Sequence, residues 1–264
     1  MQLKKWLFLN GVGIVFIVTG ISGCAKNRQL APPPDSEKVM VTVKASEELK
    51  VGAIGAFYRS KICTRLRGDG NGGRVEIQGF NYLEVVPKRR PGTDLSDGYV
   101  SLDGGGSCEW RLSAVKFTVE QKSLHRFGMK HNVGYGADVE VYFDQATSQG
   151  GSSERTTAGD VKIVEDYYPW VSEVYLGGHA KIFSFFKDGK ERVEYLAPQA
   201  RNIYFEPKLH ADYLVSSVQA DVKDKKDLIT TFTYPDGTVS VERRSYPDFK
   251  RLQAIRKKAE AATR

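Results

Sequence analysis

The chain is poor in the residues that most often carry chemistry. It has three cysteines, four histidines and three tryptophans in 264 residues. No two cysteines form a CxxC pair, which excludes the sulfur-rich zinc sites built on that spacing. His125 and His131 lie six apart, while His179 and His210 stand alone, so none has the i, i+4 spacing of a helical zinc pair. There is no G-x-S-x-G elbow, and Ser113 and Ser184 have no histidine or acid nearby to mark a nucleophile. The cluster Gly68-Asp69-Gly70-Asn71-Gly72-Gly73 is not followed by Gly-Lys-Ser/Thr, so it is not a phosphate loop. Internal repeats are absent. These gaps predict a protein that is not an enzyme and needs no cofactor and no metal.

Long apolar runs are also missing, with one exception. Lys4 and Lys5 precede an apolar stretch from Trp6 to Ile21, and the small residues Ser22 and Gly23 lead into Cys24. That is the layout of a secretory signal. The tetrapeptide Ile21-Ser22-Gly23-Cys24 resembles the lipobox of bacterial lipoproteins. The resemblance implies cleavage before Cys24, a diacylglyceryl thioether on its thiol and acylation of its new amine. Two or more chains anchor a protein stably where one does not. The alternative is an uncleaved span. It would have about 16 apolar residues broken by Gly11, Gly13 and Gly20, where a span needs roughly 20. In the Gram-negative pattern an Asp after the cysteine retains a lipoprotein in the inner membrane, and here that position is Ala25. The expected place is therefore the outer membrane, lipid-anchored, with the body facing the periplasm.

Loss of the signal takes Lys4 and Lys5, and the formal charge falls from +7 to +5. The tail from Phe249 holds six cations against Glu260, so the rest of the body is balanced. A balanced body on a secreted chain does not suggest nucleic acid. With Cys24 assigned to lipid, Cys63 and Cys108 remain as one pair. In an oxidising periplasm they are most simply a disulfide.

Ala25 to Lys38 is polar and carries Pro32-Pro33-Pro34, which reads as a tether of residues 24–38. A strand follows at Val39 to Ala45, where valines alternate with polar residues. Weaker strand signals cover Lys50–Tyr58, Arg74–Gln78, Tyr82–Val86 and Tyr99–Leu102. The glycine cluster at 68–73 is a turn, and its Arg67-Gly68-Asp69 matches the integrin-binding tripeptide, as any glycine-rich turn can. The alternation from Trp110 to Val119 slips phase between Ala114 and Val115, which predicts a bulge. Ala137–Phe143 is a strand. Gln145 to Gly159 has no large apolar residue and reads as an exposed loop or a linker. Beyond it, Asp188-Gly189 and Pro235-Asp236-Gly237 each sit between strand patterns, as hairpin turns do. Ser245 is the expected N-cap of a terminal helix with an apolar stripe at Phe249, Leu252, Ile255, Ala259 and Ala262.

The sum is an all-β, β-sandwich-like fold in one or two domains with a C-terminal amphipathic helix. The preferred division places a disulfide-bearing β domain at 39–145 and a β region with the helix at 160–264, joined by 146–159. The alternative is a single larger β domain. Three loops are candidate contacts: Lys88–Pro91 with Lys88, Arg89 and Arg90; Ser123–Gly136 with His125 and His131; and Gln145–Gly159. Tyr167, Tyr168 and Trp170 have two readings, as packed core or as an exposed aromatic hot spot. The basic helix has two as well, packed on the sheets or laid on an anionic surface. The expected partners are a lipid bilayer, through acylated Cys24, and a protein. The layout of lipobox, proline-rich tether and small disulfide-bearing β body loosely resembles the periplasmic immunity lipoproteins that neutralise effectors delivered by type VI secretion. That resemblance implies an inhibitor of a secreted antibacterial effector. The alternative is an envelope assembly protein that binds outer-membrane proteins or peptidoglycan.

Overall fold

The computed structural model describes residues 27–129, 134–144, 155–175, 178–188, 192–219 and 229–263. The signal segment, Cys24, His131, Gly189 and most of the 146–159 stretch lie outside these described residues. The described strands in chain order are β1 (Lys38–Lys44), β2 (Leu49–Val51), β3 (Ile54–Gly68), β4 (Arg74–Val85), β5 (Lys88–Arg89), β6 (Leu95–Ser101), β7 (Asp103–Gly105), β8 (Trp110–Gln121) and β9 (Ala137–Tyr142). Then come β10 (Arg155–Thr156), β11 (Val161–Val174), β12 (Ala180–Phe186), β13 (Arg192–Leu196), β14 (Asn202–Leu209), β15 (Val215–Gln219), β16 (Thr230–Thr233) and β17 (Val239–Glu242), with helix α1 (Phe249–Ala262) last.

Two mixed sheets form an all-β, sandwich-like body. One runs β17-β16-β15-β11-β14-β1-β6-β5, with β12 also on β11. The other runs β10-β13-β9-β8-β3-β4, with β2 and β7 on β8. The core lies between them. Val39, Val41 and Val43 of β1 share one buried cluster with Ile54 and Ala56 of β3, and Phe117 of β8 meets Phe205 of β14 at 5.8 Å between ring centres. The preferred two-part division does not separate two sheets. β1 pairs in parallel with β14, and β9 with β13, so strands from both sides of 146–159 share both sheets.

Local sequence explains much of the strand geometry. The phase slip in β8 is a bulge: Phe57 faces Ala114, Tyr58 faces Leu112, and Ser113 is the extra residue. The glycine cluster closes the β3–β4 hairpin, and β4 is one continuous strand rather than two. Pro235-Asp236-Gly237 closes the β16–β17 hairpin, with Gly237 at φ 79° and Tyr234 N donating to Thr238 O at 2.9 Å. The Asp188-Gly189 hairpin does not form. β12 pairs with β11 and β13 with β9, so the connection crosses between sheets. A turn signal is local, and the partner of each strand is chosen by the sheet it can complete.

β11 joins the two halves of the larger sheet. Its first half pairs with β14 and its second with β12 and β15. Pro169 falls between Tyr167, the last residue paired to β14, and Trp170, the first paired to β15. A residue without an N–H is tolerated at such a switch. Here both faces are covered. Tyr167 and Val171 enter the main core, while Tyr168 and Trp170 enter a second cluster with Phe186, Val215, Phe232 and Tyr234.

Helix α1 closes that second cluster. A 14-residue helix is marginal alone, so packing must hold it. Leu252 is fully buried, with Phe249 and Ile255 packed beside it, which bears out the packed reading of the apolar stripe. The cap is Asp248, not Ser245: its carboxylate accepts from Arg251 N at 3.1 Å. Pro247 thus precedes the helix instead of opening it. Arg256 donates to Tyr168 Oη at 3.0 Å and meets Asp166 at 3.3 Å, and Asp166 also holds His210 at 2.7 Å.

Candidate functional site

The β3–β4 hairpin carries the largest group of exposed apolar side chains among the described residues. Its strands have 15 and 12 residues, and beyond Ser60 most of its side chains leave the core. β4 is an edge strand. Seven of the fifteen exposed large apolar side chains among the described residues fall between Ile62 and Val86, so exposure is concentrated here. Val75 stands nearest the tip, and Leu66, at 65 % exposed, is one pair further in. On the proximal half Phe57 touches Phe80 and Tyr82, with ring centres 5.8 and 4.9 Å apart.

A wide bulge divides the hairpin. Ser60 faces Gly79 and Arg65 faces Ile77, so four residues of β3 span one of β4. The bulge is clamped three times. Cys63 is disulfide-bonded to Cys108, with Cα atoms 5.3 Å apart, as the cysteine count predicts. Ser60 Oγ donates to Cys108 O at 2.5 Å and accepts from Cys63 N at 2.8 Å. Gly79 must be glycine, because a Cβ there would be driven into the Cys63 carbonyl oxygen. A cleft of about 450 Å³ opens beside the bulge, lined by Arg59, Lys61 and Arg111, the acids Glu109 and Asp144, and Ile62 and Gln78.

The expected tether is bound to this clamp. Ser107 Oγ donates to Asn27 O at 2.5 Å, and both Trp110 Nε1 and Asn81 Nδ2 donate to Arg28 O, at 3.1 and 2.8 Å. Arg28 reaches Thr64 O at 3.4 Å, and Ala31 N donates to Gly104 O at 2.9 Å. The run Gly104-Gly105-Gly106 makes room for it. A side chain at Gly104 would strike Leu30, Tyr58 and Trp110, and one at Gly105 the Ala31 carbonyl. Gly105 and Gly106 also have φ of 57° and 71°. No residue pattern in Asn27–Ala31 announces this docking. The signal was the glycine run, which reads equally well as a plain turn.

The tip carries Arg67-Gly68-Asp69 in full exposure. Asp69 Oδ1 accepts from Asn71 N and Gly73 N at 2.8 and 2.9 Å, so the carboxylate shapes the turn. Lys61, Arg65, Arg67 and Arg74 have no carboxylate within ion-pair reach among the described residues. Arg59 Nε is buried without a hydrogen-bond partner.

Behind the hairpin lies a charge network on Glu140, which is 8 % exposed. Its carboxylate accepts from Lys116 at 2.7 Å, Arg192 at 2.9 Å and the Tyr142 hydroxyl. Burial pushes its pKa up, and the bonds from Lys116 and Tyr142 with the Arg192 charge outweigh it, leaving the carboxyl below its ordinary range. Burial and the same carboxylate push Tyr142 up. The network ties β8, β9 and β13 together. Sequence reasoning missed it, because its members are far apart in the chain.

The candidates named from sequence do not converge. Lys88 and Arg89 form the short edge strand β5, and Arg90 is ion-paired to Asp97, whose carboxyl it holds low. His125 sits on an exposed 3-10 turn at His125–Phe127. Tyr167, Tyr168 and Trp170 are 3 %, 0 % and 7 % exposed, so they are core and not a surface hot spot. The histidine–acid pairs are instead His210–Asp166 and His179–Glu173 at 2.7 and 2.6 Å. Among the described residues no group of three or more His, Cys, Asp and Glu is placed to hold a metal, and no helix is long and apolar enough to cross a membrane. No protein-family model, curated protein or solved structure matches the chain.

Proposed function

We propose that this chain is a lipid-anchored binding protein of the bacterial outer membrane, with acylated Cys24 as anchor and its body on the periplasmic side. It works by occupying another protein. Within that class we favour an immunity protein, one that binds and inhibits a secreted antibacterial effector. One observation carries the reading. Asn27–Ala31 are docked on the disulfide-clamped hairpin, so an anchor at Cys24 holds the body directly on its membrane. A protein held that way intercepts what arrives at the membrane. Its stiff β body lowers the ordering cost of binding. The partner face is the open edge of β17, where Val239 and Val241 are exposed and unpaired backbone can accept another strand.

The test is affinity purification of the acylated protein from detergent-solubilised cells that also express the neighbouring genes. One stoichiometric secreted enzyme, inactive in the complex, is the expected result. Recovery of outer-membrane proteins or wall fragments in its place would sink the immunity reading in favour of envelope assembly.

A further inference from the structure

We propose that the distal half of the β3–β4 hairpin is a second membrane contact, a basic and apolar ribbon seated in the headgroups of an anionic phospholipid surface. The proposal rests on the anchoring reading above. Cys24 is three positions before Asn27, so the lipid chains begin at most about 11 Å from Asn27. Asn27 and Arg28 are bonded to Ser107, Trp110, Asn81 and Thr64, which lie on or against the bulge at mid-hairpin. From Thr64 to the strand end at Gly68 is four residues, about 13 Å at the rise of a strand. The tip therefore extends about as far as the lipidated residue can stand off. A body tied down at that point keeps its hairpin tip within reach of the bilayer.

The hairpin has the chemistry for that position. Lys61, Arg65, Arg67 and Arg74 have no described carboxylate partner, and Ile62, Leu66 and Val75 are exposed among them. Asp69 is turned into its own backbone, and Thr64 donates to Glu76, so the nearby acids are engaged. The cleft at the bulge mixes Arg59, Lys61 and Arg111 with Glu109 and Asp144, so the cationic surface is that of the distal strands and not of the cleft. Cations interleaved with apolar side chains suit a surface that supplies phosphate and hydrocarbon within a few ångströms of each other, as a lipid interface does. A nucleic acid would leave Leu66 and Ile62 in water.

The full chain, purified with acylated Cys24, is reconstituted into phosphatidylethanolamine vesicles with and without phosphatidylglycerol carrying brominated acyl chains. Leu66→Trp places a reporter near the tip and Val241→Trp a control on β17, each read as the difference from the parent chain. Quenching of the L66W reporter, with the V241W reporter unaffected, is expected. Arg65→Glu, Arg67→Glu and Arg74→Glu together should relieve it, and each cation removed should weaken association about fivefold. Equal, unquenched signals from both reporters would overturn the hairpin contact. Flotation of Cys24→Ser against the parent reads the anchor separately. Flotation independent of Cys24 with L66W still quenched would sink the anchor and uphold the hairpin. Flotation that needs Cys24 with L66W unquenched would do the reverse.

Discussion

At Gly79 the backbone of one strand occupies the space that a side chain on the other would need. Gly79→Ala pushes a methyl into the Cys63 carbonyl, and neither the disulfide nor Ser60 lets the bulge retreat. We expect a loss of about 3 kcal/mol, as for other overpacked sites. In a body of this size that is about 6–12 °C in Tm by calorimetry. Gly70→Ala is the contrast: at φ 85° it meets nothing within 4 Å, so only backbone strain opposes it and about 1 kcal/mol should be lost. Equal losses would show that the bulge is not clamped. Glu140 gives a second test. Its folded pKa lies below the ordinary 4.5, so its contribution is complete above pH about 4.5 and is lost as pH falls through the folded value. Glu140→Gln should cost about 1–3 kcal/mol at pH 7 and flatten the acid limb of Tm against pH. An acid limb unchanged by that substitution would move the linkage to other carboxylates. Neither residue could be singled out from sequence. One glycine among many in strands, and one acid among many, gain their roles only from neighbours 16 and 24 positions away.

At the scale of elements, legibility followed range. The Pro235-Asp236-Gly237 turn needs only its flanking residues, and it forms as read. The Asp188-Gly189 signal is as good locally, yet its strands complete different sheets, which no local pattern encodes. The aromatic cluster in β11 could be read as core or as surface, because burial on both faces erases the alternation that tells a half-buried strand from others. The terminal helix was legible from its stripe, but its start was displaced by three residues. Ser245-x-x-Asp248 looks like a capping box, whereas Asp248 itself accepts from Arg251 N, with Pro247 just before it. Asp248→Ala should therefore cost about 1 kcal/mol and Ser245→Ala close to nothing. The reverse order in urea melts would restore Ser245 as the cap. Leu252→Ala, which empties the centre of the cluster with Tyr168 and Phe232, should cost about 2–4 kcal/mol. The disulfide spans a sequence separation of 45 residues, and the chain-entropy relation assigns it about 4 kcal/mol. Cys63→Ser with Cys108→Ser should show that loss in melts. It should also make the hairpin amides the fastest to exchange within the strands, because the bulge then rests on Ser60 and the close approach at Gly79.

On the scale of the whole molecule, the two sheets place the Asn27–Ala31 docking site and the open edge of β17 far apart. β4 lies over β6, since a side chain at Gly98 would meet both Ile54 and Val85. Six strand spacings separate β6 from β17 in the larger sheet, roughly 29 Å. If the hairpin end rests on lipid, the β17 edge faces the periplasm, where a protein can add a strand to it. The two functions are then separable by mutation. Val239→Asp with Val241→Asp should abolish capture of the protein partner and leave the body on vesicles with its L66W reporter quenched. The triple change of Arg65, Arg67 and Arg74 to Glu should free the hairpin from lipid while Cys24 keeps the chain membrane-bound and the partner is still captured. Loss of both properties from either set of changes would mean that lipid and partner compete for one surface. In that case the β3–β4 hairpin, which has the larger exposed apolar area, would be the partner site. Independence would instead fix the orientation: a leader bound along a clamped hairpin sets which end of the sandwich meets the membrane, and the sheet order sets which end is left for the partner.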